Sequence, residues 1–274
     1  MRSRTTLLGP GLLRMIYQPA IKRHLSRVPL IRRVYNGWLR THPIDRHLKV
    51  DTSGYMEVDQ ITASEQLRKL VIPYAGSSPS VVRKALTMLP PVDDYQFLDL
   101  GCGKGRAMIV ASERPFLGIT GVDLSRDLLD IAQRNIEVIA TTFPARPAMR
   151  VHKANAVEFS MPPGKVVLFN YHAFGKELMT TLTQHLEACL ATTTEHLLFV
   201  YYNPVYAEVL DASPAFTRWY AGTLKCDREE IGFAPDDDDT VVIWESVRNR
   251  IGTPHADAER PVVTLQPAWR AGLG

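Results

Sequence analysis

Two carboxylates and three glycines are the residues of this sequence most disposed to hold a ligand. Asp99 closes the apolar run Phe97-Leu98-Asp99-Leu100 and is followed by Gly101, Gly103 and Gly105 on alternate positions. Glycine admits positive φ and lets a ligand lie against bare backbone, so this stretch reads as a buried strand turning sharply into a helix beneath a ligand. The spacing discriminates between ligands. A dinucleotide fingerprint requires Gly-x-Gly-x-x-Gly, and Arg106 stands where its third glycine belongs; a phosphate loop requires a Gly-Lys-Ser/Thr that is absent. Asp123 ends the next apolar run, Gly118 to Val122, twenty residues beyond Gly103. A carboxylate there can accept two hydrogen bonds from vicinal ribose hydroxyls.

A second group of reactive side chains, Asn170-Tyr171-His172-Ala173-Phe174-Gly175, follows Val166-Val167-Leu168-Phe169. In an open α/β sheet the ligand lies outside the carboxyl ends of the strands, so a strand at 166–169 delivers these residues to the site. Tyr171 offers an aromatic face for a cation. His172, with an ordinary pKa of about 6.5, can take a proton from an acceptor at neutral pH; the same residue also reads as a hydrogen-bonded structural histidine. Asn155-Ala156 follows a further short strand, and the Asn155 amide oxygen can accept a bond from a base amino group or close a local turn.

The elements that must position these groups alternate. Strands are expected at 96–100, 118–123, 149–152, 166–169 and 197–202, with helices starting near Ala107, at Arg126 behind the N-cap Ser125, and around Leu178, Leu182 and Leu186. A short helix near 205–210 and an alternating hairpin, 216–224 with 240–245, close the pattern. Its connection, Ala234-Pro235-Asp236-Asp237-Asp238-Asp239, reads as a solvated turn. Upstream, Asp51-Thr52-Ser53-Gly54 is a turn cluster. Ser78 and Pro79 read as N-cap and first residue of a helix that stops at Pro90-Pro91. Strands alternating with helices and then a hairpin predict a mostly parallel sheet with helices on both faces.

Charge divides the chain. Residues 1 to 50 hold eleven Lys or Arg against the single acid Asp45; of the totals of 32 bases and 29 acids, 21 and 28 lie beyond residue 50. A basic helical arm (1–50), with an apolar stripe at Val28, Ile31, Tyr35 and Trp38, thus precedes an acidic body (51–248) and an aperiodic tail (249–274). The arm either folds back on the body or meets an anionic surface, so peripheral membrane contact through residues 1–40 is one expectation. Gly9-Pro10-Gly11 and Arg14 interrupt its apolar part and argue against a cleaved secretory signal. Cys102, Cys189 and Cys226 share no metal-ligand or redox spacing, so a disulfide framework and a zinc site are not expected, and a cytoplasmic location fits.

Asp99 with Gly101, Gly103 and Gly105 resembles the first motif of class I S-adenosylmethionine (SAM) dependent methyltransferases, whose Rossmann-like fold carries a seven-stranded, mostly parallel sheet. Together with Asp51 to Gly54 upstream and Tyr201-Tyr202-Asn203-Pro204 downstream, it is similar to one bacterial group of that class. The resemblance implies SAM as cofactor, S-adenosylhomocysteine (SAH) as product, and no metal. It implies that Asp99, Gly101, Cys102, Gly103, Gly105, Asp123, Leu124, Asn155, Ala156, Asn170 and Tyr74 line the cofactor site, with His172 and Tyr171 at the reacting end. That group carries Tyr-Asn-Pro-Phe where this chain has Tyr171-His172-Ala173-Phe174, so the acceptor, an O or N on a small molecule or protein, stays open. A non-catalytic SAM-binding module anchored by the arm is the alternative reading. Aminopropyl transfer from decarboxylated SAM would want further acids where Asn170 and His172 stand.

Overall fold

The computed structural model describes residues 41–61, 64–68, 72–231, 233 and 238–260. The expected helix at 28–39, the rest of the arm to residue 40, the connection at 234–237 and the tail from 261 lie outside the described residues. In chain order the first elements are α1 (Pro43–Leu48), β1 (Tyr55–Met56), α2 (Val58–Ile61), α3 (Glu65–Arg68), β2 (Tyr74–Ala75) and α4 (Pro79–Thr87). Then come β3 (Tyr95–Leu100), α5 (Arg106–Ala111), β4 (Gly118–Asp123), α6 (Arg126–Thr142), β5 (Met149–Lys153) and β6 (Gly164–Tyr171). The last are α7 (Lys176–Thr192), β7 (Thr194–Tyr202), α8 (Ala207–Asp211), β8 (Phe216–Lys225) and β9 (Asp238–Ser246).

Strands β3 to β9 form one seven-stranded sheet in the order β5-β4-β3-β6-β7-β9-β8. The first five pair in parallel, and β9 runs antiparallel between β7 and β8. Parallel strands buried on both faces read as continuous apolar runs, and here their side chains alternate between two cores. Phe97, Val167, Phe169, Leu198, Val200, Tyr202, Val241 and Ile243 pack on the face covered by α4, α5 and α6. Leu98, Leu100, Val166, Leu168, Phe199, Tyr201, Val242 and Trp244 pack on the face covered by α7 and α8. This is the Rossmann-like methyltransferase sheet expected from the sequence, with helices on both faces.

Ser125 caps α6 as expected, its hydroxyl accepting from Leu128 N at 3.3 Å. Ser78 does not cap α4 through its own side chain. The buried Glu230 carboxylate takes that place, accepting from the Ser78 hydroxyl (2.5 Å), from Ser80 N (3.1 Å) and from the Ser80 hydroxyl (2.7 Å). Charge-assisted bonds at a helix N-terminus outcompete a neutral serine cap.

Two boundaries drawn from charge and periodicity shift. Charge alone places residues 41–50 with the arm, yet Ile44, Leu48 and Val50 pack into the body's core. The tail is held as far as Ala258, which is buried: Ile251 N donates to Glu245 (2.9 Å) and His255 N to the Trp219 carbonyl (2.9 Å).

Candidate SAM site and its acceptor end

The turn after β3 is built as its residue types demand. Gly101, Gly103 and Gly105 have φ of +81°, +53° and +82°. Gly101 N and Cys102 N both donate to the Val122 carbonyl (2.9 and 3.1 Å), which folds the turn across the end of β4. A Cβ at Gly103 would lie 2.2 Å from Cε2 of Tyr74, so the ring of Tyr74 sits directly on the bare backbone. Its hydroxyl donates to the Thr52 carbonyl at 2.8 Å, and burial pushes its pKa up.

Long-range contacts hold this turn. The Asp45 carboxylate accepts from Thr52 N (2.9 Å), Thr52 Oγ1 (2.5 Å), Ser53 N (2.8 Å) and Ser53 Oγ (2.6 Å). That fixes Thr52 to receive Arg106, whose buried guanidinium donates to Thr52 Oγ1 (2.7 Å), the Thr52 carbonyl (2.7 Å) and the Ser77 carbonyl (3.2 Å). The neighbouring His42 is held neutral, its pKa lowered to about 3 by burial and then by Arg106. Arg106 thus ties the segments before and after β2 to the first turn of α5. Sequence reasoning used it only to exclude a dinucleotide fingerprint, since nothing local shows that a helix-start arginine is buried.

One cavity runs along the carboxyl edge of the sheet. Tyr74, Asp99, Gly101, Cys102, Asp123, Leu124, Asn155, Ala156, Tyr171 and His172 line it; Gly103, Gly105 and Asn170 stand behind that wall. The Asp99 carboxyl is 3% exposed, and no described residue donates a hydrogen bond to it; burial, then the Asp123 charge, pushes its pKa well up. Burial likewise keeps Cys102 a neutral thiol. Asp123 accepts from Gly103 N and Ser125 N, each at 2.9 Å, and its pKa is raised by burial against those bonds. A carboxylate has about four lone-pair sites, so two such bonds leave acceptor capacity toward the cavity.

Asn155 makes a local turn, accepting from Val157 N at 3.3 Å and donating to Glu158 at 3.0 Å. Asn170 is fully buried and joins two strand ends, donating to the Leu100 carbonyl (2.9 Å) and accepting from Ala173 N (3.3 Å). His172 adopts φ +39°, and its Nδ1 lies 3.4 Å from the Tyr201 hydroxyl. The Tyr171 ring packs on Tyr202 with centroids 4.4 Å apart.

Other residues of the cavity wall were not foreseen: Ile61, Ile72, Pro73, the segment 75–77, Asn203 and Asp239. Asp239 corrects the reading of the aspartate run as a solvated turn. It belongs to β9, is 8% exposed, and accepts a hydrogen bond from the Tyr202 hydroxyl. Burial, then that carboxylate, raises the Tyr202 pKa and keeps the phenol a donor. Among the described residues no helix is long and apolar enough to cross a membrane, and no group of three or more His, Cys, Asp or Glu is placed to hold a metal ion.

These residues fit SAM on two observations of the chain itself. A cavity lined by Gly101, Cys102 and Asp123 opens beside the glycine turn, and the buried Asp99 carboxyl lacks a donor that a cationic amino group would supply.

A family described as a methyltransferase domain matches residues 97–193. Similar solved structures include TrmN from Thermus thermophilus, at 17% identity and TM-score 0.45, covering 62% of this chain and 49% of that one. A SAM-dependent methyltransferase from Aquifex aeolicus is 13% identical with TM-score 0.44, covering 61% and 89%. An RNA methyltransferase from Salinibacter ruber in complex with SAH is 17% identical with TM-score 0.40, covering 68% and 100%. The chain spans about half the length of the Thermus protein, and no curated protein matches it. Residues 97–193 thus match a methyltransferase domain, and they carry the glycine turn and lie within the sheet order that the resemblance to class I, SAM-dependent methyltransferases implies.

Proposed function

We propose that the chain moves a methyl group from SAM to an O or N acceptor on a small molecule or a protein side chain. The observation that carries this reading is Asp99, a buried carboxyl on the cavity wall with no donor among the described residues, beside a tight turn of three glycines at positive φ. Asp99 would receive the cofactor's amino group and Asp123 its ribose hydroxyls, with Leu124, Asn155 and Ala156 around the base and Tyr74 closing over the turn. When bound, SAM supplies a methyl group already activated on a sulfonium.

The chain's own work is then chiefly alignment. It holds the acceptor's lone pair in line and keeps water from the cavity, which converts an encounter into an intramolecular step. Tyr171 and His172 are the wall nearest that event. His172 is our candidate to take a proton from an acceptor that is protonated at working pH, its ring held by the Tyr201 hydroxyl.

The test is to incubate the full chain with methyl-labelled SAM and a cell extract and to follow the label into protein and small-molecule fractions. Label in either fraction supports transfer and names the acceptor class. Bound SAM with no label in either fraction would favour a non-catalytic SAM-binding module.

A further inference from the structure

The cavity is longer than the cofactor-binding wall, and its far end has its own chemistry. Neighbouring strands lie about 4.8 Å apart, so Asp123 on β4 and Asp239 on β9, four strand steps apart in the sheet order, are separated by roughly 19 Å of sheet edge. Asp239 lies two steps beyond the end of β6, roughly 10 Å on the same ruler. Both acids line the same cavity. Between them stand Tyr171, His172 and Asn203.

Register explains why an acid from the last strand reaches the site. Because β9 is antiparallel, its first residues, not its last, lie at the carboxyl edge, and Tyr202 pairs with Val241. Asp239 is two residues before Val241, on the same face of the sheet, and there it meets the Tyr202 hydroxyl. Tyr202 is in turn covered by the Tyr171 ring. The carboxylate is therefore oriented by a buried donor and flanked by an aromatic face that lines the cavity.

Among the described residues carboxyls outnumber guanidinium and ammonium groups on the wall. Asp99, Asp123 and Asp239 contribute three carboxyls, whereas the guanidinium of Arg106 is engaged by Thr52 and Ser77. No lysine lines the cavity among the described residues. A carboxylate beside aromatic faces attracts an ammonium and repels a carboxylate or phosphate.

We infer that Asp239, positioned by Tyr202, binds the methyl acceptor, and that the acceptor is an amine. This rests on the methyltransferase reading above and names the substrate class it leaves open. An ammonium held there by Asp239 passes one proton to the imidazole of His172 on the same wall, which leaves its nitrogen a lone pair.

The experiment uses the full chain saturated with SAH and titrates it calorimetrically with propylamine, 1-propanol and sodium propionate. The inference expects propylamine to bind at least tenfold more tightly than 1-propanol and propionate not to bind. It expects Asp239→Asn to lose at least tenfold in propylamine affinity while SAH affinity stays within twofold. Equal binding of propionate, or propylamine binding unchanged in Asp239→Asn, would overturn it. Should that variant fail to fold, the amine-against-propionate comparison in the unaltered chain decides alone, and propylamine that does not bind refutes the inference. Failure of SAH itself to bind appears before any amine is added, and would instead remove the cofactor reading underneath.

Discussion

Replacing Gly103 by alanine tests whether Tyr74 is built onto the cofactor turn. Gly103 has φ +53°, where an L-residue pays about 1–2 kcal/mol. Its new Cβ would also meet Tyr74 Cε2 at 2.2 Å and Cδ2 at 2.4 Å, so the ring must leave. With the ring goes its 2.8 Å bond to the Thr52 carbonyl, a net contribution of about 0.5–1.5 kcal/mol, and part of its packing. The sum is a loss of about 2–4 kcal/mol, or roughly 5–15 °C in Tm at about 2–4 °C per kcal/mol for a chain of this size. Gly105→Ala is the control. Its φ is +82°, but the nearest atom to the new Cβ is Ala132 Cβ at 3.6 Å, so only the backbone cost of about 1–2 kcal/mol applies. The excess of Gly103→Ala over Gly105→Ala is therefore the Tyr74 term. It should vanish when both variants are made in a Tyr74→Ala background, as a double-mutant cycle requires for a direct contact. Urea unfolding followed by circular dichroism reads the stabilities, and an SAH titration reads the site. Equal stability losses for the two glycine variants would refute the placement of Tyr74 on the turn.

Two further outcomes follow from the acids. Asp123→Ala should weaken SAH binding by about 1–3 kcal/mol, or about 5- to 150-fold, because a charged acceptor facing the ribose is lost; an affinity within twofold of the unaltered chain, measured by calorimetry, would refute the ribose assignment. The Asp99 pKa is raised by burial, so its contribution to stability is full below the unfolded carboxyl value of about 3.9 and is lost as pH rises through the folded value. Asp99→Asn should accordingly be more stable than the unaltered chain at pH 8, with the advantage shrinking toward pH 4. SAM binding to the unaltered chain should release a proton that Asp99→Asn does not, seen as a buffer-dependent binding enthalpy; identical pH profiles for the two chains would contradict it.

The central sheet was legible because its strands are continuous apolar runs punctuated by glycine, proline and acids. Gly118–Asp123 matches expectation to the residue, and β3, β5, β6, β7, β8 and β9 differ from expectation at their ends, where ladders extend past the apolar centre. The glycine turn and Asp123 were legible because their demands are local: positive φ, and an acid at a strand end. What escaped was whatever depends on pairing across the chain. Asp239 looks like one of four solvated aspartates until antiparallel pairing sets it against Tyr202, 37 residues earlier. Ser78 looks like its own cap until Glu230, 152 residues away, arrives to replace it. Arg106 shows no sign of burial until Asp45 has oriented Thr52 to receive it. In each case a partner distant in sequence, the Tyr202 hydroxyl, Glu230 or Asp45, overrides the local propensity.

The most direct test of the account is a calorimetric titration of the purified full chain with SAM and with SAH. It predicts one saturable site for each, with binding weakened in both Asp99→Asn and Asp123→Ala. Absence of heat and of any thermal stabilisation by either ligand would contradict it.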